Sequence, residues 1–256
     1  MTTFSERVER ISISGIREVF EAAGDDAINL GLGQPDFPTP AHARRAAVDA
    51  IESGKADAYT ENKGTLGLRE AIAEKHRADQ GIDLDPGNVI ATAGGSEALH
   101  VAMEAHVDAG DEVLIPDPGF VSYDALTKLA GGEPVPVPLR DDLTIDPAAI
   151  ENAITDDTAA FVVNSPGNPT GAVSSEADVR EFARIADEHD VLCISDEVYE
   201  YTLFEGEFRS PIKFTERDNV VVVNSSSKLY AMTGWRIGWV VGPRDRVDRM
   251  LKVHQY

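Results

Sequence analysis

Ala159-Ala-Phe-Val-Val-Asn-Ser-Pro-Gly-Asn-Pro-Thr-Gly171 is a strand-length apolar run that breaks into a polar loop rich in proline and glycine. Apolar residues without polar alternation suit a strand buried on both faces, and the loop that follows cannot continue it. The same pattern recurs on either side. Apolar runs stand at 89–93, 112–116, 133–137, 159–163, 191–195, 219–223 and 237–241. Helical spacing fills most of the intervals, at Glu97–His106, Val121–Ala130, Ile145–Ile154 and Glu176–Glu188. Strands alternating with helices predict right-handed crossovers and a seven-stranded, mostly parallel sheet in an α/β/α sandwich. The last two runs lie closer together, so their connection is expected to differ.

Upstream, Val8, Ile11, Ile16, Val19 and Phe20 recur at helical spacing and predict an amphipathic helix over residues 5–23. Gly31-Leu-Gly-Gln-Pro-Asp-Phe-Pro-Thr-Pro40 holds too many prolines and glycines for regular structure and reads as a fixed-path loop. A helix is expected from Thr39-Pro40 to Ile51, and another after Gly64. With no repeat or linker, one α/β domain over residues 41–256 dominates, and residues 1–40 form a separate N-terminal helix and loop.

The chain has 256 residues, 42% of them apolar, enough for one large core. No run reaches the roughly 18 apolar residues of a membrane span, and Met1–Ser14 lacks a signal-peptide core. The single cysteine, Cys193, excludes an intrachain disulfide framework and reads as a small core residue. A cytoplasmic protein is expected. The formal charge of −22 repels phosphate backbones, and no basic patch offsets it, so nucleic-acid binding is not expected. Acids are spread along the whole chain and the cations are 7 Lys against 16 Arg, a composition that fits a salt-adapted protein.

In such sheets ligands sit beyond the carboxyl ends of the strands. Those ends carry Gly94-Gly95-Ser96-Glu97, Pro116-Asp-Pro-Gly-Phe120, Asn164 to Gly171, Asp196-Glu197-Val198-Tyr199, and Asn224-Ser-Ser-Ser-Lys228. The glycines and serine at a helix start suit a phosphate, though an ordinary capped helix has the same look. Asp196 alone could be a cap or a metal ligand. Ser225 to Lys228, with Arg236 eight residues on, combines hydroxyls and a guanidinium able to hold a phosphate dianion. A lysine among buried strand ends tends toward a lowered pKa, the condition for an amine nucleophile.

These stretches resemble the class I/II aminotransferases, the fold-type I enzymes that depend on pyridoxal 5′-phosphate (PLP). The matching segments are 33–40, Gly-Gly-Ser-Glu-Ala-Leu (94–99), 164–171, Ser-Asp-Glu-Val-Tyr (195–199) and 225–238, in the family's order. The resemblance implies the family's PLP-binding large domain and transfer of an amino group from an amino acid, aspartate or a broader aromatic set, to a 2-oxo acid such as 2-oxoglutarate. It implies that Lys228 forms the Schiff base with PLP and moves the proton, and that Asp196 pairs with the pyridine nitrogen. Asn168 and Tyr199 would bond the ring's O3′, and Phe120 would stack on the ring. Gly95, Ser96, Ser225, Ser227 and Arg236 would hold the phosphate, with Tyr59 reaching it across a homodimer interface. Gly33 and Asn168 would meet the substrate.

Family chains continue into a C-terminal small domain whose arginine clamps the substrate carboxylate. This sequence stops at Tyr256 with no matching arginine, so a fragment or truncated product is expected, and a non-catalytic PLP-fold chain is the alternative. A distant alternative uses Ser225-x-x-Lys228 as an acyl-transfer pair with Ser225 as nucleophile, but Lys-Thr-Gly is missing. The scattered histidines include no His-Glu-x-x-His, and no metal is expected. No Gly-x-Gly-x-x-Gly follows the first strand, which speaks against nicotinamide binding.

Overall fold

The computed structural model describes residues 4–13, 15, 31 and 33–256. Its strands are β1 (Val89–Thr92), β2 (Glu112–Asp117), β3 (Glu133–Pro138), β4 (Thr158–Asn164), β5 (Leu192–Asp196), β6 (Val220–Ser225) and β7 (Gly238–Val241). They form a single sheet in the order β1-β7-β6-β5-β4-β2-β3. The pairs from β6 through β3 are parallel, while β7 runs antiparallel to both β1 and β6. The connection from β6 to β7 carries only one helical turn and a 3₁₀ turn, too little for a crossover helix, so the strand returns in the opposite direction.

The helices among the described residues are α1 (Glu6–Glu9), α2 (Ala41–Glu52), α3 (Leu66–Gln80), α4 (Gly95–Glu104), α5 (Ser122–Ala130), α6 (Pro147–Ala153), α7 (Glu176–His189), α8 (Ser226–Leu229) and α9 (Arg244–His254). Strand residues alternate between two layers. Ile90, Val162, Ile194, Val223 and Val240 pack with Leu99 and Met103 of α4, Tyr123 of α5, and Val247 and Met250 of α9. Phe161, Val163, Cys193 and Val220 face the other way, toward Phe182 and Ile185 of α7 and Ile150 of α6. On that second side, Ile72 of α3 packs with Val89, Val222 and Val241. Each fully buried Val or Ile contributes roughly 1.5–3 kcal/mol over exposure, so apolar runs without polar alternation are what a doubly covered sheet selects. Cys193 is buried in this core as expected, and burial pushes its thiol pKa well up.

The edge strand β3 holds Pro134, Pro136 and Pro138 at alternate positions, which removes donors from the sheet's outer rim and blocks further pairing. The expected helix over 5–23 is not formed as predicted. The described part is helical at Glu6–Glu9, leaves the helix from Arg10 to Ile13, and is helical again at Gly15. Val8 is exposed and Ile11 half-buried, so among the described residues no buried stripe carries the helix across this break. Instead Arg7 donates to the Leu129 carbonyl at 2.9 Å and Arg10 pairs with Glu133 at 2.6 Å. Ile16, Val19 and Phe20 lie outside the described residues.

Candidate active site

Register brings the carboxyl ends of the strands into line. Asn164 on β4 is level with Asp196 on β5, and Ser225 on β6 is level with Gly238 on β7. Asp196 is 3% exposed. Its Oδ2 accepts from the Tyr123 hydroxyl at 2.8 Å, and among the described residues its Oδ1 is reached only by the Val198 N–H at 3.4 Å. Burial pushes the carboxyl pKa up to about 6, against the pull of those two donors. Asn164 ties the neighbouring loop to the same strand end. Its amide donates to the Asp196 carbonyl at 2.8 Å, and its Oδ1 accepts from the Asn168 N–H at 2.7 Å.

Lys228 lies on α8, a single turn capped by Ser225, whose Oγ accepts from the Ser227 N–H at 3.1 Å. The lysine Nζ donates to the Gly33 carbonyl at 2.7 Å and stands 5.9 Å from the centre of the Tyr199 ring. Partial burial lowers its pKa. The incoming 33–40 loop is fixed beside it, because Thr39 donates to the Ala231 carbonyl at 2.6 Å and accepts from the Trp235 indole at 3.1 Å. Gly33 therefore reaches Lys228 with its carbonyl. Burial and the nearby Asp196 charge raise the Tyr199 hydroxyl pKa. Phe120 sets its ring edge-to-face on Tyr123, with centroids 5.6 Å apart.

The glycine turn before α4 meets Arg236. This arginine adopts φ +57° and donates to the Ala93 carbonyl and the Thr233 carbonyl, both at 3.0 Å. Gly94 has φ +94°, and a Cβ there would lie 2.5 Å from Arg236 Nη2. A Cβ on Gly238 would stand 2.4 Å from the Gly94 carbonyl carbon. The two backbones approach as only glycines permit. Across the turn, Ser225 Oγ lies 2.8 Å from Ser227 Oγ and 3.0 Å from the Ile237 carbonyl.

The donor set suits a phosphorylated pyridine aldehyde. It offers an amine of lowered pKa, a buried carboxylate with one oxygen weakly engaged, and a glycine cradle beside hydroxyls and a guanidinium. Gly95 and Ser96 open α4 shortly after β1, and Asn168 lies on the loop after β4, where its side chain makes no hydrogen bond among the described residues. Tyr59 is fully exposed on the loop before α3. The Ser225–Lys228 acyl-transfer pair is not made, since Lys228 bonds Gly33 and Ser225 bonds its own turn. Among the described residues no group of three or more His, Cys, Asp or Glu is poised to hold a metal ion.

Two features escaped the sequence reading. Tyr123 is one: its hydroxyl is buried, and a buried hydroxyl demands a partner, but no spacing names Asp196 as that partner. The other is a buried polar group behind the site. Glu200 accepts from Asn224 and pairs with Lys75, each at 2.6 Å. Glu197 accepts from Ser195 at 2.9 Å and from Ser210, and burial pushes its pKa up to about 8.

The family model for aminotransferase class I and II matches residues 25–255. The chain is 42% identical over 258 residues to a probable aspartate aminotransferase of Methanocaldococcus jannaschii, covering 98% of this chain and 68% of that protein. It is 39% identical to aromatic-amino-acid aminotransferase 2 of Thermococcus litoralis, covering 98% of this chain and 66% of that one. A Thermus thermophilus aspartate aminotransferase solved with maleate superposes with a TM-score of 0.94 at 40% identity, over 100% of this chain and 68% of that one. The chain thus spans about two thirds of the length of the relatives it matches. With the seven-stranded sheet and the strand-end lysine, aspartate and glycine cradle in place, these matches show that the chain belongs to the class I and II aminotransferase family.

Proposed function

We propose that this chain binds PLP through Lys228 and serves amino-group transfer from an L-amino acid, aspartate or an aromatic one, to a 2-oxo acid such as 2-oxoglutarate. The observation that carries the reading is Asp196: a carboxylate buried at a strand end, held by Tyr123 on one oxygen and nearly free on the other. When bound, PLP supplies an electron sink that acidifies the α C–H of an amino acid. Asp196 would hold the proton on the pyridine nitrogen, and the cationic partner would in turn favour its ionised form. Lys228, its proton affinity reduced by burial, would take the proton from the substrate Cα and return it at the cofactor's C4′. Tyr199 and Asn168 would bond the ring oxygen. Gly95, Ser96, Ser225, Ser227 and Arg236 would hold the phosphate, and the Gly33 N–H would meet the substrate carboxylate.

A second copy of the chain belongs to this reading. Helix α2 has no buried residue, Val48 and Ile51 stand exposed on it, and Tyr59 follows fully exposed. A homodimer would cover this surface and bring Tyr59 to the partner's cradle. The charge of −22 supports salt adaptation as part of the same proposal.

The test is a visible absorption spectrum of the purified chain with PLP at high salt, before and after borohydride. A borohydride-sensitive band that Lys228→Ala abolishes is expected. A folded wild-type chain without such a band, or a band that persists in Lys228→Ala, overturns the reading.

A further inference from the structure

Resting on that reading, we propose that Glu97 and His254 are positioning residues that hold the 93–96 turn in its phosphate-admitting shape and tie it to the loop bearing Tyr59. Neither touches the site's reactive groups. Their role follows from what they grip.

Glu97 is the third residue of α4, and its carboxylate turns back along the chain. Oε2 accepts from the Ala93 N–H, just before the Gly94 cap. A glutamate at this position reaching back to a backbone N–H is the acceptor half of a capping box. Here it satisfies a donor upstream of the cap, while no protein acceptor is found for the Gly95 and Ser96 N–H groups among the described residues. A carboxylate close to a phosphate site is unfavourable unless it is directed away and matched by a donor. His254 supplies the match: its Nδ1 lies 3.1 Å from Glu97 Oε1.

Ala93 is consequently held at both polar groups. Glu97 takes its N–H and Arg236 takes its C=O at 3.0 Å. One peptide neighbourhood, fixed from opposite sides, sets the direction in which the following glycines present their backbone.

His254 also extends the connection. Its Nε2 lies 2.8 Å from the Asn62 carbonyl, three residues beyond Tyr59. The same loop is gripped at Lys63, whose ammonium bonds Asp248 of α9 at 2.8 Å and whose carbonyl accepts from the Ala91 N–H at 2.9 Å. Gly64 comes so near β1 that a Cβ there would lie 2.7 Å from the Ala91 Cβ. Helix α9 thus joins two loops that would address the anions of both copies, the 93–96 turn this chain's own and the Tyr59 loop the partner's.

The experiment compares PLP with pyridoxal, which lacks the phosphate, by titrating the Lys228-dependent absorption band in wild type, Glu97→Ala, His254→Ala and the double variant. Each single variant is expected to weaken PLP affinity about tenfold, or about 1.4 kcal/mol, and to leave pyridoxal affinity within about twofold. The double variant should lose less than the two singles multiplied, because both remove the same connection. Glu97→Gln, which keeps an oxygen for the Ala93 N–H, should recover part of the loss and serves where Glu97→Ala fails to fold.

PLP and pyridoxal weakening in parallel, or an unchanged ratio, overturns the positioning role while leaving the cofactor reading intact. A folded wild-type chain with no Lys228-dependent band overturns the cofactor reading itself and the role of the pair with it.

Discussion

Tyr123 donates its hydroxyl to Asp196 Oδ2 at 2.8 Å, with both groups buried. The tyrosine rises from the first turn of α5, and the aspartate ends β5, so the bond joins the helical layer to the strand end where the chemistry is proposed. It has two consequences. The bond fixes the rotamer of the carboxylate, leaving Oδ1 as the available oxygen. It also opposes the burial that would otherwise drive the pKa of Asp196 still higher.

Tyr123→Phe is therefore expected to destabilise the cofactor-free chain by about 2 kcal/mol above pH 6, the range for a hydrogen bond to a charged group. Losing this donor raises the pKa of Asp196 further. The cost should shrink as pH falls and the carboxyl protonates in both proteins. Urea unfolding at pH 8 and pH 4.5 checks this, and an equal cost at both would refute the assignment of the bond to the ionised form.

Asp196→Asn should make the cofactor-free chain more stable at neutral pH while removing its partner for a pyridine nitrogen. The folded carboxyl has its pKa raised to about 6, from 3.8. In the interval between those values the native state binds more protons than the unfolded state, so this group's contribution to stability rises as pH falls. Its unfavourable contribution is fully developed above pH 6 and absent below about pH 4. The variant should gain roughly 1–3 kcal/mol at pH 7 and little at pH 4. Denaturation across this window decides it; a variant that is less stable at pH 7 would contradict the buried-charge account.

Gly238→Ala tests the backbone contact behind the cradle. The added methyl would meet the Gly94 main chain at 2.4 Å, where no side chain can swing aside. A loss of about 1–3 kcal/mol is expected from overpacking. PLP affinity should fall more than pyridoxal affinity, because the displaced turn faces the phosphate. A variant with wild-type melting and an unchanged affinity ratio would show that the two segments can part freely.

Salt should stabilise the protein. The charge of −22 is spread along the chain, and the screening length falls from about 10 Å at 0.1 M to about 3 Å at 1 M. The melting temperature should climb by several degrees between those concentrations of KCl, first steeply and then less so. A flat or falling trend would mean that self-repulsion is not what limits stability.

The strand–helix alternation and the identity of the strand-end groups are legible from the residues alone. Apolar runs without polar alternation can only be buried on both faces, and Asp196, Lys228 and Gly94-Gly95 follow such runs directly, so their placement is local in origin. Spacing predicts one continuous helix over 5–23, whereas the chain leaves the helix from Arg10 to Ile13; Val8 stays exposed there, and periodicity does not report burial. The rest depends on how distant segments pack. The short β6–β7 connection sets the reversal of β7, but its pairing with β1 on the other edge joins segments about 150 residues apart. Tyr123 finds Asp196 across 73 positions, and His254 finds Glu97 across 157. Such pairs join side chains that no periodicity relates; they meet because α4, α5 and α9 pack in one layer over the same face of the sheet.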